Sequence, residues 1–451
     1  MSATGVGREG MVNTSRTRGH AFYLVGLLLA CYTFSYIDRQ AISLVVQPLK
    51  AALALTDTQI GLVQGFAFTI CYAVTGIPLA RAIDRHSRVR IIAACVAIWS
   101  VATMVCGLVS GYGAFLAARS ATAISEAGLP PAALSLMTDV TSRRRLAWAS
   151  TLFMTGPYLG GGIALLGGGW LLGLLTRAGG LTLPLIGQLP PWKALFVCVG
   201  APALLLAVLV AITLREPPRA EPEIVLGTGP AIAHRPLRAY LRVHWVWLMP
   251  YLLGTTCLVA VLFAVMAWMP TYFVRTFHLS AQAAGRTIGP VYLLVGMGGS
   301  IAAGWLAAGM NPARTVCRVL RIVLCAAVVI VPAGWMFGQA ASAQVATISF
   351  AVISLACSAV VALAPLPIQL TAPSAARGQV TAIFAFVYAA VAGGGGPFAV
   401  GYITDHVLSN ELLIGRSLEY TALGAAVLGV ALCWIGLRQA TVRLIVGNGA
   451  S

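Results

Sequence analysis

Charge is what this sequence has least of. Of 451 residues only 9% are Asp, Glu, Lys or Arg, and just 12 are acidic, against about a quarter charged in an ordinary soluble domain. A chain this poor in charge, 59% apolar with a mean hydropathy of +0.89, cannot furnish the polar surface that a water-soluble globule needs, and it reads as an integral membrane protein. Histidine is scarce as well, six in all. No His and Glu stand at metal-site spacing, no Ser sits in a nucleophile elbow, and no glycine loop has the pattern of a phosphate cradle. These absences argue against a membrane enzyme and call for no cofactor and no metal. The ten cysteines, Cys31 to Cys433, fall within predicted helices or at their inner ends, with no pair in an outer loop. That argues against a disulfide framework and leaves them as small apolar packing residues.

Long apolar runs, by contrast, are abundant. They recur near residues 21–46, 58–80, 89–109, 113–137, 147–175 and 193–214, and again near 243–274, 284–308, 315–337, 343–371, 379–403 and 418–437. Each suits a helix of the ~20 residues needed to cross a bilayer. The first twenty residues are polar, with Arg8, Arg16 and Arg18, and the run that follows is too long for a signal-peptide core, so the first span is expected to stay. Between the two sets lies a polar, proline-bearing, basic stretch from Arg215 through Glu216-Pro217-Pro218 to Arg242, which reads as a linker. The expected plan is all-α: tail 1–20, six-helix lobe 21–214, linker 215–242, six-helix lobe 243–438 and tail 439–451. Thr141-Ser142-Arg143-Arg144-Arg145 and Pro373-Ser374-Ala375-Ala376-Arg377-Gly378 open the fifth helix of each half, which makes the halves pseudo-symmetric repeats.

The net charge of +17 needs no nucleic acid. With the N-terminus inside, most Lys and Arg fall on the inner side, as the positive-inside rule expects for an even number of spans with both termini cytoplasmic. Residues 178–192, with Gly179, Gly180, Pro184, Gly187, Pro190 and Pro191 among apolar neighbours, read as an outer hairpin or cap.

Two charged residues, Asp38 and Arg39, interrupt the first apolar run, and Arg119 and Glu126 interrupt the fourth. Charges at membrane depth are costly and as a rule face a water-filled or protein-lined interior, so they mark a transport pathway; a pair that only ties helices together is the plainer alternative. Arg119 and Glu126, two turns apart, share one face of a helix about 10 Å apart along its axis. Asp38 and Arg39 project about 100° apart and so are poor partners for each other, which makes Arg119 the expected partner of Asp38. Asp38 and Glu126, the two acids placed near mid-membrane, are the candidates for proton coupling; for Glu126 a hydrogen-bonded structural acid beside Pro130 and Pro131 is the alternative. Asp84, with Arg85 and Arg88, ends the second helix and is expected to act as a polar latch that closes the inner side. The corresponding stretch Gly304 to Arg314 has no acid, so the latch is one-sided. The second half offers Trp268, Met269, Phe384, Phe386 and Tyr388, either core packing or an apolar cavity wall. Gly156-Pro157-Tyr158-Leu159-Gly160-Gly161 reads as a bend and close-packing surface and matches a pattern of exporters.

Ala80-Arg81-Ala82-Ile83-Asp84-Arg85-His86-Ser87-Arg88-Val89-Arg90 resembles the loop motif of the major facilitator superfamily, with Ala80 and Ser87 where glycines are usual. Phe34-Ser35-Tyr36-Ile37-Asp38-Arg39-Gln40, Pro48-Leu49-Lys50, Thr58-Gln59-Ile60-Gly61, Gly76-Ile77-Pro78-Leu79-Ala80-Arg81, Ser125-Glu126-Ala127-Gly128-Leu129-Pro130-Pro131-Ala132 and Trp268-Met269-Pro270-Thr271-Tyr272-Phe273 look like the Spinster-like branch of that superfamily. The resemblance implies a twelve-helix, two-lobed, monomeric carrier of the inner (plasma) membrane, whose animal relatives move sphingosine phosphate or lysophospholipids, in some cases with protons. It also implies proton-linked roles for Asp38 and Glu126, and substrate contacts from Arg39, Arg119, Glu126 and Tyr36. Three functions follow: an alternating-access carrier of an amphiphilic lysolipid-like anion, a proton-coupled carrier or exporter of small organic anions or drug-like molecules, and a membrane enzyme or sensor.

Overall fold

The computed structural model describes residues 6–184, 186–218, 235–309 and 311–443. Within them the first lobe is built from α1 (Val6–Leu44), α2 (Asp57–Arg85), α3 (Arg88–Cys106), α4 (Tyr112–Glu126 and Leu129–Val140), α5 (Trp148–Arg177) and α6 (Pro191–Thr213). The second lobe comprises α7 (Arg235–Phe277), α8 (Ala281–Ala307), α9 (Pro312–Gln339), α10 (Ala343–Thr371), α11 (Ala376–Val407) and α12 (Ile414–Thr441). Among the described residues eleven helical segments are each long and apolar enough to cross a membrane. The fourth apolar run is divided instead, because Pro130 and Pro131 have no N–H to return to the carbonyls of Glu126 and Ala127, and the helix restarts at Leu129. The architecture is the expected all-α one of twelve membrane-crossing elements in two six-helix lobes. α7 begins inside the stretch read from sequence as linker; residues 219–234 of that stretch, with 1–5 and 444–451 of the tails, lie outside the described residues.

Short connections are possible because polar residues at the helix starts satisfy the first free N–H groups. Thr56 and Gln59 form a reciprocal capping box on α2. Ser87, Ser280, Asn311 and Ser342 cap α3, α8, α9 and α10. Residues 178–192 do form a hairpin, β1 (Leu181–Leu183) pairing antiparallel with β2 (Gly187–Leu189). Its entry requires glycine, since Gly180 has φ +116° and its neighbour Gly179 +72°.

With an even number of crossings the linker and both helix termini share one face of the molecule, and the hairpin lies on the other. The lobes meet along α2 with α11 and α5 with α8. A Cβ at Gly61 would lie 2.7 Å from the Pro397 carbonyl oxygen, and one at Gly289 would lie 2.9 Å from the Leu166 backbone nitrogen. Such approach of backbones across an interface requires small residues. Gln40 Nε2 on α1 donates to the Met266 carbonyl on α7 at 2.7 Å. These seams lie from mid-helix to the hairpin face. Toward the linker face the same helices carry exposed apolar side chains, Val74 and Ile77 on α2 and Ile383 and Phe386 on α11. The close contacts between the lobes thus lie toward the hairpin face, and these seams do not extend to the linker face.

At the linker face Arg88 is buried and joins three segments. It pairs with Asp139 at the end of α4 and, through Nε at 2.7 Å, with Glu216 of the linker. Glu216 also accepts from Ser87 Oγ at 2.7 Å and from the Val89 amide at 3.0 Å, at the N-terminus of α3, where a helix favours negative charge. Partial burial alone would raise the Glu216 carboxyl, but these hydrogen bonds and the Arg88 charge outweigh it and hold the group below its ordinary value. A depressed carboxylate contributes stability that is full above its unfolded pKa and lost as pH falls through the folded one. Protease cleavage of the linker should therefore be faster in Glu216→Gln than in wild type at pH 7, and wild type should match the variant only below the ordinary glutamate range, about pH 4.3. Equal cleavage rates at pH 7 would remove the tie.

Candidate functional site

Two ion pairs stand between α1 and α4. Asp38 and Arg119 meet with Arg119 Nη1 at 3.2 Å from both carboxylate oxygens, the partnership expected from helix geometry. Arg39 Nε lies 2.6 Å from Glu126 Oε2. Neighbours on α1 thus reach residues two turns apart on α4. The long guanidinium arms make this possible, one extended from each helix. Burial separates the pairs: Arg119 and Asp38 have 2% and 3% of their side chains exposed, whereas Arg39 has 22% and Glu126 none. Arg39 is the charged group that meets the opening between the lobes, and Arg119 lies behind it.

Three further residues, not assigned roles from the sequence, complete the site. Ser35 Oγ donates to Glu126 Oε2 at 2.7 Å, one turn before Arg39 on the same face of α1. Phe68 and Tyr72, one turn apart on α2, and Tyr36 on α1 surround the Arg39 guanidinium, with ring centroids 4.5, 4.9 and 4.8 Å from its central carbon. Phe68 is also 5.5 Å from the Arg119 guanidinium, so one buried ring serves both cations. A cation over an aromatic face is favoured by the ring quadrupole, more so away from water. The i, i+4 spacing of Phe68 and Tyr72 was the available signal; their neighbour across the lobe was not. Tyr36 stands edge-on to Tyr32, which stacks on Phe153 of α5.

The Glu126 position follows from the break in α4. It is the last residue of the first helical piece, where the absence of the Pro130 and Pro131 N–H groups ends the hydrogen-bonded ladder. Its Oε1 is buried with no protein partner, as is Arg119 Nε. One carboxylate oxygen is held by Ser35 and Arg39 while the other is open to a proton.

In the second lobe Trp268 and Met269 are buried, and Trp268 Nε1 donates to the Pro397 carbonyl at 2.8 Å. They pack α7 on α11 and do not form a cavity wall. Phe386 is about half exposed, and Tyr388 packs on Phe384 with ring centroids 5.5 Å apart. Arg275 and Asp405 lie at helix ends. Asp84 and Arg85 are exposed at the end of α2, apart from Arg88 in its buried cluster. Among the described residues no group of His, Cys, Asp and Glu could hold a metal ion. The arrangement holds opposite charges in two pairs, one buried and one partly exposed.

The family model of the Major Facilitator Superfamily matches residues 28–397. An MFS-type efflux pump of Mycolicibacterium smegmatis is 28% identical over 424 residues, 92% of each chain. A probable L-galactonate transporter of Escherichia coli strain K12 is 22% identical over 324 residues, 68% of this chain and 67% of its own. A bacterial homologue of the human lysosomal transporter Spinster, crystallised inward-facing and unoccupied, superimposes with a TM-score of 0.76 at 24% identity, covering 95% of this chain and 98% of that one. That likeness carries the fold.

Proposed function

The chain belongs to the major facilitator superfamily, a membrane transporter, and from that premise we propose that it is a proton-coupled, alternating-access carrier of an organic anion. The observation that carries this reading is the Arg39–Glu126 pair, a partly exposed cation held at 2.6 Å by a fully buried acid. Either a substrate anion or the Glu126 carboxylate can neutralise Arg39, and the two compete. A proton on Glu126 removes the carboxylate charge and releases the guanidinium, kept in place by Tyr36, Phe68 and Tyr72, to an anionic group entering from the linker face. Loss of the proton restores the internal pair and expels the anion. Proton and anion then occupy the site together or not at all, which is the requirement for coupling. Asp38 and Arg119 form the buried counterpart, supporting Arg39 through Phe68 and offering a second site for proton exchange.

Small organic acids are the favoured cargo, since the named relatives include a probable L-galactonate transporter and the partly exposed charge at the site is a single guanidinium beside three aromatic rings. A lysolipid-like anion is the second reading, favoured by the half-exposed apolar side chains Ile383 and Phe386 on α11. The charge asymmetry supports a cytoplasmic linker and cytoplasmic termini, in a reading where the protein works as a monomer in the inner membrane. On closure of that side Asp84, with Arg85, would latch α2 to the other lobe. Counterflow in proteoliposomes tests the reading, with sugar acids, short dicarboxylates, drug-like anions and lysophospholipids in separate arms. Uptake of at least one anion, increased by an acid pH on the loading side, is expected. If every arm were insensitive to the pH gradient, the exchange of Glu126 for substrate on Arg39 would be wrong.

A further inference from the structure

The structure assigns a gate on the hairpin face to a cross-lobe charge cluster with Asp57 as its centre. Asp57, the first residue of α2, is fully buried. Its carboxylate accepts from Lys50 Nζ at 2.5 Å in its own lobe, and from Arg275 Nη1 at 2.6 Å and Nη2 at 2.8 Å in the other. Glu411, ahead of α12, closes the ring: Oε1 lies 2.8 Å from Lys50 Nζ and Oε2 3.2 Å from Arg275 Nη2. Two cations and two anions, one of each per lobe, therefore balance. Beside them Asp405 at the end of α11 accepts from the Thr58 amide and hydroxyl at 2.6 Å each and from the Asp57 amide at 3.3 Å. An acid of the second lobe thus caps the N-terminus of a helix of the first, the end at which a helix favours negative charge.

Each of these cross-lobe contacts exists only while Lys50 and the start of α2 stand against the ends of α7 and α11 and the turn that carries Glu411, so together they contribute to the hairpin-closed state alone. A group that interacts with one state biases the equilibrium by its differential free energy. Opening the hairpin face would expose Asp57 to one cation where it now has two, with Arg275 and Glu411 carried away on the second lobe. The close glycine seams between α2 and α11 are lost on the same opening and add to this bias. The resting molecule is accordingly weighted to the state open at the linker face, and cargo and proton binding at Arg39 and Glu126 must supply what the cluster loses. Asp57, Lys50, Arg275, Asp405 and Glu411 are positioning residues: none touches the central site. The inference needs only a two-lobed carrier and stands whether or not protons are coupled and whichever anion is carried.

Spin-label distances across the hairpin face test it on the full-length protein. Labels go at Ser110 in the α3–α4 connection and Ala341 in the α9–α10 connection, both exposed and in opposite lobes. The less buried cysteines, Cys71, Cys198, Cys257 and Cys325, are replaced by alanine. In Asp57→Asn the ratio of hairpin-open to hairpin-closed distances is expected to rise on the order of a hundredfold, as loss of one partner from a buried pair implies. Glu411→Lys, at a half-exposed position, turns the cross-lobe attraction to Lys50 into a repulsion and should shift the distances in the same direction. A merely structural role would lower the melting temperature and leave the ratio alone. Distance distributions of folded Glu411→Lys, and of Asp57→Asn where it folds, that superimpose on wild type would overturn the gate. Because no cargo enters this measurement, its failure is distinct from failure of the anion-carrier reading.

Discussion

Asp38→Asn should lower the melting temperature of the purified protein markedly and silence gradient-driven transport. Asp38 and Arg119 are 3% and 2% exposed and are each other's charge partner. Removing the carboxylate leaves a guanidinium buried without compensation, which costs about 3–5 kcal/mol in such pairs, whereas removing both charges in favour of apolar groups is often neutral. The double variant Asp38→Asn with Arg119→Met should therefore regain most of the lost stability. From sequence alone Asp38→Asn is expected to leave the fold intact; the burial seen here makes a stability loss the larger effect. Transport separates the two roles of the residue. If the double variant melts like wild type yet moves no anion, Asp38 is needed for more than packing; if it regains gradient-driven uptake, the pair is a structural tie and the proton site is Glu126 alone. A wild-type melting curve for the single variant would show that the Arg119 charge is solvated.

The second large effect is expected at the exposed pair. Arg39→Ala removes the cation that meets cargo and strands Glu126, and the latter is relieved by taking a proton, so the fold should survive while apparent affinity falls about ten- to a hundredfold, the worth of a charged hydrogen bond. Arg39→Lys keeps the charge but gives up the flat stacking on Phe68 and Tyr72, and should lie between. Glu126→Gln preserves the shape and an acceptor for Ser35 Oγ while freeing Arg39 permanently. Anion exchange across the membrane should continue in it, with accumulation driven by a pH gradient abolished. The paired assay is counterflow against gradient-driven uptake in the same proteoliposomes. Wild-type dependence on the gradient in both Glu126→Gln and the double variant at Asp38 and Arg119 would make these carboxylates structural.

The lobes, the hairpin and the Asp38–Arg119 pair were legible in the sequence because each depends on local rules. A run of about twenty apolar residues has one stable state in lipid, since its backbone must satisfy itself. Glycines with positive φ among apolar residues mark a turn, and the 100° step between adjacent helix positions forbids an Asp38–Arg39 pair. The division of α4 was not foreseen, since 113–137 reads as one run, although Pro130 and Pro131 account for it. The other pairings between helices did not follow, because many registers between α1, α2 and α4 satisfy the same hydrophobic pattern. Only the packed structure places the Phe68 ring between two guanidiniums and commits Arg39 to Glu126. Its consequence is greatest at the hairpin face. In sequence Arg275 and Asp405 read only as charges ending helices and Lys50 only as part of a family motif, and nothing there joins them to Asp57 or Glu411. Lobe closure brings residues more than two hundred positions apart to within 2.6 Å and removes their water, and it is the loss of water that turns helix-end charges into a gate.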